Sequence, residues 1–90
     1  MDPNPDTVHD RTSFLDFVRD LAADRNAAAQ AECENADHPY ETFRGWQNRD
    51  IGTFLECAVA WAKTQDFFDL YSEPSWRAFA EFLFAGKIYE

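Results

Sequence analysis

The sequence predicts an all-α fold, a compact bundle of three main helices joined by an ordered connection rich in aromatic residues. Three segments repeat apolar residues every three or four positions, which is the spacing of an amphipathic helix. Hydrophobic residues make up 46% of the chain and aromatic residues 17%, whereas a disordered chain is poor in both. With 90 residues the chain has room for one hydrophobic core. We therefore expect a single folded domain.

The first dozen residues differ in composition from the rest of the chain. Residues 1–10 contain two prolines, three aspartates and one aliphatic residue, a composition typical of an extended or frayed terminus. We expect residues 1–12 to be a flexible lead-in and residues 13–90 to form the single helical domain.

The first helix is predicted at about residues 13–25. Ser13 with Asp16 resembles a capping box, and the alanine-rich stretch that follows would allow the helix to extend to residue 34. Its expected core face consists of Phe14, Leu15, Phe17, Val18, Leu21 and Ala22. The opposite face, expected to be solvated, consists of Asp16, Arg19, Asp20 and Asp24.

Residues 35–48 mix proline, glycine and polar groups with three aromatic residues, which predicts an ordered connection held to the core by its rings. Asp50 can cap the second helix, predicted at about residues 50–64. The apolar face of that helix consists of Ile51, Phe54, Leu55, Ala58, Trp61 and Ala62. This is the clearest amphipathic pattern in the chain.

The third helix is predicted at about residues 74–86, with Pro74 in the first turn and Gly86 at its end. Its core stripe consists of Trp76, Phe79, Ala80 and Leu83. Phe82 and Phe84 fall about 100° to either side of that stripe, so the helix is apolar nearly all round. Such a helix is either central in its fold or covered by something else.

The chain is acidic, with a formal net charge of -9 at pH 7. This field repels phosphate backbones and anionic lipid surfaces, so nucleic acid and membranes are poor partners. No apolar run reaches the length of a membrane-spanning helix, and we expect no secretion signal before the domain. Cys33 and Cys57 are therefore expected to stay reduced, in a cytoplasmic protein.

Catalytic and cofactor motifs do not emerge from the sequence, and we assign no catalytic, cofactor-binding or metal-binding residue. The one cluster with metal-ligand character consists of Cys33, Glu34, Asp37 and His38. Its spacing lacks the paired ligand groups of known zinc sites, which favours a polar loop. A small metal-dependent enzyme is the alternative with the least support.

The second half of the chain contains a distinctive set of residues: Trp46-x-Asn48, Ile51, Phe54-Leu55-Glu56-x-Ala58, Ala60-Trp61, Pro74-Ser75-Trp76-Arg77, Phe79-Ala80, Leu83 and Tyr89-Glu90. This pattern resembles a family of small bacterial helical proteins of unknown function. This chain departs from the pattern in a longer stretch over residues 27–44 and in Asp50, where threonine is usual. The resemblance implies a compact helical fold without an established activity. It marks five residues as defining the fold: Trp46, Asn48, Trp61, Trp76 and Tyr89.

Small size, acidity and numerous aromatic residues together predict a non-enzymatic protein–protein interaction module. Its partner would be basic, and an immunity-like or inhibitor-like role fits that charge. The predicted interaction surface consists of Phe67, Phe68, Tyr71, Arg77, Phe82 and Phe84. A structural homodimer formed through the aromatic residues of the third helix is the alternative.

Overall fold

A computed structural model describes residues 2–35, 37, 43–64 and 73–89. Within these ranges the chain forms a short 3-10 helix, Pro5–Thr7, and three α-helices: α1 (Arg11–Glu34), α2 (Ile51–Ala62) and α3 (Trp76–Ile88). The described residues contain no β-strand. The predicted all-α fold is therefore confirmed. No helix in the described ranges is both long enough and apolar enough to cross a membrane.

Each α-helix begins at a side chain that accepts a hydrogen bond from a backbone N–H of its first turn. The N-caps are Asp10, Asp50 and Ser75. At α1 the Ser13 N–H donates to Asp10 Oδ1 at 2.8 Å, and the Asp10 N–H donates to Ser13 Oγ at 3.0 Å, which forms a reciprocal capping box. The prediction that Ser13 is the cap is therefore wrong, because Ser13 is the third residue of the box that Asp10 starts.

The alanine-rich stretch after residue 25 continues α1 without a break, so the longer alternative for the first helix is the one observed. Arg25 supports this extension from its side chain, since two of its guanidinium nitrogens donate to Glu32 at 3.0 and 2.7 Å. The bidentate pair holds two turns of a helix that has few large apolar residues of its own.

α3 is the central helix of the bundle. It packs against α2, α1 and the 3-10 helix, whereas α1 and α2 make no close backbone contact with each other. The buried core consists of Val8, Phe17, Leu21, Ala28, Trp46 and Ala80. Val8 and the 3-10 helix belong to the segment assigned above to the lead-in, and Val8 is only 3% exposed.

Small residues bring α2 and α3 close together. Ala58 and Ala80 are fully buried, and a Cβ added to Gly86 would lie 2.8 Å from the carbonyl oxygen of Phe54. The prediction that Gly86 ends the third helix is wrong, since α3 continues to Ile88. Gly86 is instead the position at which the α2 backbone leaves no room for a side chain.

Candidate functional site

A buried pair of opposite charges, Asp24 and Lys87, lies near the carboxyl end of α3. Asp24 on α1 accepts three hydrogen bonds, from Lys87 Nζ at 2.7 Å, Trp46 Nε1 at 2.8 Å and Arg44 Nε at 2.6 Å. Asp24 is 3% exposed and Lys87 is 8% exposed. We call these four residues the Asp24 cluster. The prediction that Asp24 lies on the solvated face of the first helix is wrong, because Arg44, Trp46 and Lys87 lie against that side of α1.

The connection reaches Asp24 through an unusual backbone turn. Arg44 and Gly45 both have positive φ values, 57° and 79°, and glycine is the residue that enters this region without strain. The turn places the side chains of Arg44 and Trp46, the residues before and after Gly45, against the carboxylate of Asp24. Arg25 and Lys87 also lie against the Trp46 ring, with cationic groups 5.3 and 5.4 Å from its centroid.

Burial by itself would raise the pKa of Asp24. Hydrogen bonds from Lys87, Arg44 and Trp46 outweigh that effect and hold the pKa below its ordinary value of 3.8. Asp24 is thus an ionised carboxylate at neutral pH, bonded to three donors and shielded from solvent. This arrangement fixes α1, the connection and α3 relative to one another and does not present the carboxylate to a substrate.

Asn48 makes a second buried polar contact at the same end of the molecule. Its side-chain amide donates to the carbonyl oxygens of Gly86 and Tyr89, each at 2.8 Å, and its amide oxygen accepts from Cys57 Sγ at 3.4 Å. Carbonyls in the last turn of a helix have no partner within the helix, and Asn48 provides one. Three of the five residues expected to define the fold therefore meet at the carboxyl end of α3, namely Trp46, Asn48 and Tyr89.

Three aromatic side chains, two of them exposed, contact one another at the opposite end of α3. The ring centroids of Phe14 and Trp76 are 5.3 Å apart, those of Trp76 and Phe79 are 5.9 Å apart, and those of Phe14 and Phe79 are 6.3 Å apart. Trp76 is 39% exposed and Phe79 is 46% exposed. We call Phe14, Trp76 and Phe79 the aromatic corner. The prediction that Trp76 and Phe79 belong to the buried stripe of the third helix is wrong.

A depression of about 380 Å³ lies beside the aromatic corner, where His9, Pro74 and Ser75 join the two α3 rings and Arg77. The charges near it are mostly negative. Arg77 donates to Asp6 at 2.6 Å and to Glu81 at 3.1 Å, so two carboxylates offset its charge. A hydrogen bond from the Ser13 backbone N–H lowers the pKa of Asp10, the residue next to His9. Glu73, beside Pro74, is exposed.

Comparison with known proteins gives a family assignment for the chain. The sequence matches DUF7660, described as a family of unknown function, over residues 10–90. The chain belongs to this family. No curated protein and no solved structure matches it significantly.

The interaction surface predicted for this DUF7660 protein is only partly within the described residues. Arg77 lies beside the aromatic corner. Phe82 and Phe84 are half-buried, and Phe84 packs against the core with Lys87 Nζ 5.8 Å from its ring centroid. Phe67, Phe68 and Tyr71 lie outside the described residues. The exposure of Trp76 and Phe79 was missed, because helical periodicity does not show that the first turn of α3 lies at the rim of the bundle.

The metal-ligand candidates are not assembled by the described part of the fold. Cys33 is exposed near the end of α1, and His38 lies outside the described residues. In the ranges that the structure covers, no three His, Cys, Asp or Glu side chains converge on one point.

Proposed function

We propose that this DUF7660 protein is a non-enzymatic interaction module that docks a basic protein partner on the aromatic corner. The observation that carries the proposal is the group of three rings in mutual contact, two of which keep more than a third of their surface in water. Burial of these rings against a partner would lower the free energy of binding, because buried aromatic side chains supply much of the affinity of protein interfaces.

The composition of the aromatic corner supports docking of a protein. Tryptophan and arginine are enriched among the residues that contribute most to interface affinity, and Trp76 and Arg77 are adjacent here. The rings also restrain one another, so little side-chain entropy would be lost when a partner covers them. The neighbouring depression offers space for a protruding side chain.

Charge favours a basic partner. The chain carries a net charge of -9, and Asp10 and Glu73 are next to His9 and Pro74, which line the depression beside the corner. A lysine or arginine side chain placed over the face of Trp76 would gain a cation–π interaction while its charge stays near these carboxylates. The overall field would also accelerate encounter with a basic surface.

An immunity-like or inhibitor-like role is the form of this function that we favour. A small acidic domain that covers a basic toxin or enzyme needs a rigid surface and no catalytic group of its own. The Asp24 cluster fixes α1 and α3, the two helices that carry the aromatic corner, relative to one another. Cys33 and Cys57 are free thiols, which fits a protein that acts in the reducing cytoplasm.

The test is affinity capture from an extract of the organism that encodes the protein, with the wild type, Trp76→Ser and Phe79→Ser as baits. We expect a basic protein that binds the wild type and is lost with both variants. The purified pair should then show affinity more than about tenfold weaker for either variant, and weaker binding as salt is raised.

Leu55→Ser is the matched control, because Leu55 is also a half-exposed apolar residue but lies on α2. It should bind the partner as the wild type does. Equal capture by the wild type and both aromatic variants, or binding that salt does not weaken, would overturn the proposal. Circular dichroism of each variant checks that loss of binding does not reflect unfolding.

A further inference from the structure

The segment before α1 packs against α3 and reaches the edge of the aromatic corner. Its 3-10 helix contacts both α3 and α1. Three of its residues are buried, namely Pro3, Pro5 and Val8. Asn4 Oδ1 accepts a hydrogen bond from the Asp6 N–H at 2.9 Å, which caps the 3-10 helix. We call residues 2–8 the N-terminal strap. Its buried side chains and its cap hold Asp6 in a fixed place on the surface.

Asp6 of the strap pairs with an arginine of α3. Its Oδ1 accepts a hydrogen bond from a guanidinium nitrogen of Arg77 at 2.6 Å, and Arg77 Nε also donates to Glu81 at 3.1 Å. The side chains of Asp6 and Arg77 are 72% and 41% exposed. Ion pairs with such exposure contribute little to stability, and buried residues already anchor the strap. The contact therefore acts mainly on the local charge.

This local charge bears on binding because Arg77 lines the depression beside Trp76. An unpaired guanidinium there would repel a lysine or arginine side chain that approaches the Trp76 ring. Asp6 and Glu81 supply two negative charges and Arg77 one positive charge, so the three groups together have a net charge of -1. Without Asp6 their charges cancel, and the attraction for a cation is lost while the rings stay the same.

We propose that Asp6 is a specificity-determining residue of the aromatic corner, which favours a basic partner over an acidic one by neutralising Arg77. This inference rests on the proposed docking function. The rings themselves can pack against apolar surface of either charge, so discrimination between partners needs a charged group beside them. Asp10 already bonds Ser13 in the capping box of α1, whereas Asp6 bonds directly to the arginine of the depression.

Two capped tripeptides test this selectivity, one with leucine between two lysines and the other with leucine between two glutamates. An NMR titration follows the indole N–H of Trp76, which the spectrum of Trp76→Ser identifies. At about 0.1 M salt, charges more than about 10 Å apart are largely screened, so the titration reports the charge near Trp76. We expect the wild type to bind the lysine peptide more than about threefold more tightly than the glutamate peptide.

The ratio of the two affinities should follow the local charge. Asp6→Asn should lower it by about threefold, and Arg77→Gln should raise it. The variant that combines both has the wild-type local charge and should recover the wild-type ratio. Asp2→Asn is the matched control. Asp2 is also an exposed carboxylate of the strap, but it pairs with Arg44 of the Asp24 cluster, at 3.3 Å. This variant changes the net charge of the chain equally and should keep the wild-type ratio.

The inference fails if Asp6→Asn keeps the wild-type ratio, or if Asp2→Asn lowers the ratio as much, since either result assigns selectivity to the charge of the whole chain. A wild type that does not prefer the lysine peptide at Trp76 would overturn it as well. A strap that detaches in Asp6→Asn would not be rescued by Arg77→Gln, so failure of the combined variant to recover the ratio also counts against a charge effect. Capture of a protein partner decides the proposed function separately, and selectivity through Asp6 can fail while docking at the corner stands.

Discussion

At the carboxyl end of α3, Lys87 is buried and bonded to Asp24, whereas at the amino end Trp76 and Phe79 are exposed to water. Hydrophobicity alone would predict the reverse, an exposed lysine and buried aromatic rings. The carboxyl end lies where α1, the connection and α3 meet, so a charged side chain there finds partners from several segments. At the amino end the two α3 rings contact Phe14 of α1 but keep more than a third of their surface in water. Position in the bundle, and not polarity, decides which side chains are buried.

The contrast also separates stability from binding. A buried ion pair affects stability mainly because removal of one charge leaves the other buried without a partner, at a high cost in free energy. The Asp24–Lys87 pair therefore fixes the relative placement of α1 and α3. An exposed aromatic side chain contributes little to the stability of the fold, and its apolar surface stays accessible to a partner. Substitutions at the Asp24 cluster should therefore unfold the protein, while substitutions at the aromatic corner should leave it folded.

Asp24→Ala should have the largest effect on stability. Removal of the carboxylate leaves Lys87 buried without its counter-charge, and we expect a loss of about 3–5 kcal/mol in the free energy of unfolding. Urea denaturation followed by circular dichroism measures this loss. Asp16→Ala is the control, since Asp16 is exposed on the same helix, and it should change stability by less than about 0.5 kcal/mol. Equal effects of the two substitutions would contradict a structural role for the Asp24 cluster.

The pH dependence of stability should isolate the charge of Asp24. Because its folded pKa lies below the ordinary value of 3.8, the unfolded chain takes up this proton first, and acid favours unfolding. The stability advantage of the wild type over Asp24→Asn should be full at neutral pH. It should shrink as the pH falls below about 4 and through the lowered folded pKa. Denaturation curves of both proteins at several pH values measure this difference. A difference that stays constant into acid would show that the charge of Asp24 is not the stabilising feature.

Gly86→Ala should destabilise the protein although alanine is the better helix former. The added methyl group would contact the carbonyl oxygen and ring of Phe54 at 2.8 and 3.0 Å, and we expect a net loss of about 1–3 kcal/mol. Gly52→Ala is the matched control in α2, where the nearest atom is Asp50 Oδ1 at 3.4 Å. It should stabilise the protein by about 0.4–1 kcal/mol. Thermal unfolding of the two variants tests this difference in sign.

Phe79→Ala should have the smallest effect on folding, a loss of about 1 kcal/mol or less, because the ring is half in water and gives up mainly its aromatic contacts. Phe17→Ala removes a ring that is 2% exposed and should cost about 3–5 kcal/mol. Urea denaturation of both variants compares the two phenylalanines directly. Similar losses would mean that the aromatic corner belongs to the core.

Most of the helical architecture follows from local signals. Capping residues and three-to-four-residue periodicity located α2 and α3 to within a few residues, and Asp50 acts as the cap that its position predicts. At α1 the predicted start was displaced because Asp10 and Ser13 are both good capping residues, and sequence alone did not show which of them comes first.

The candidate site followed from the sequence only in part. The aromatic content indicated apolar surface beyond the needs of the core. Arg77, one residue of the predicted surface, lies on α3 beside the aromatic corner. The side chains that are actually exposed are Trp76 and Phe79, although their periodicity equals that of core residues such as Ala80 and Leu83. A helical wheel gives the side of a helix on which a residue lies, but it does not give how far the neighbouring helices extend along it.

The sequence by itself determined that this chain is all-α and carries a net negative charge, because periodicity, capping and charge are local or summed properties. Only the tertiary structure decided that Asp24 is buried and that Trp76 is exposed. Both outcomes depend on contacts between residues far apart in the chain: Lys87 and Trp46 meet Asp24 only after α3 and the connection have packed against α1. Burial of a single side chain is a property of the assembled bundle, and no local pattern in the sequence encodes it.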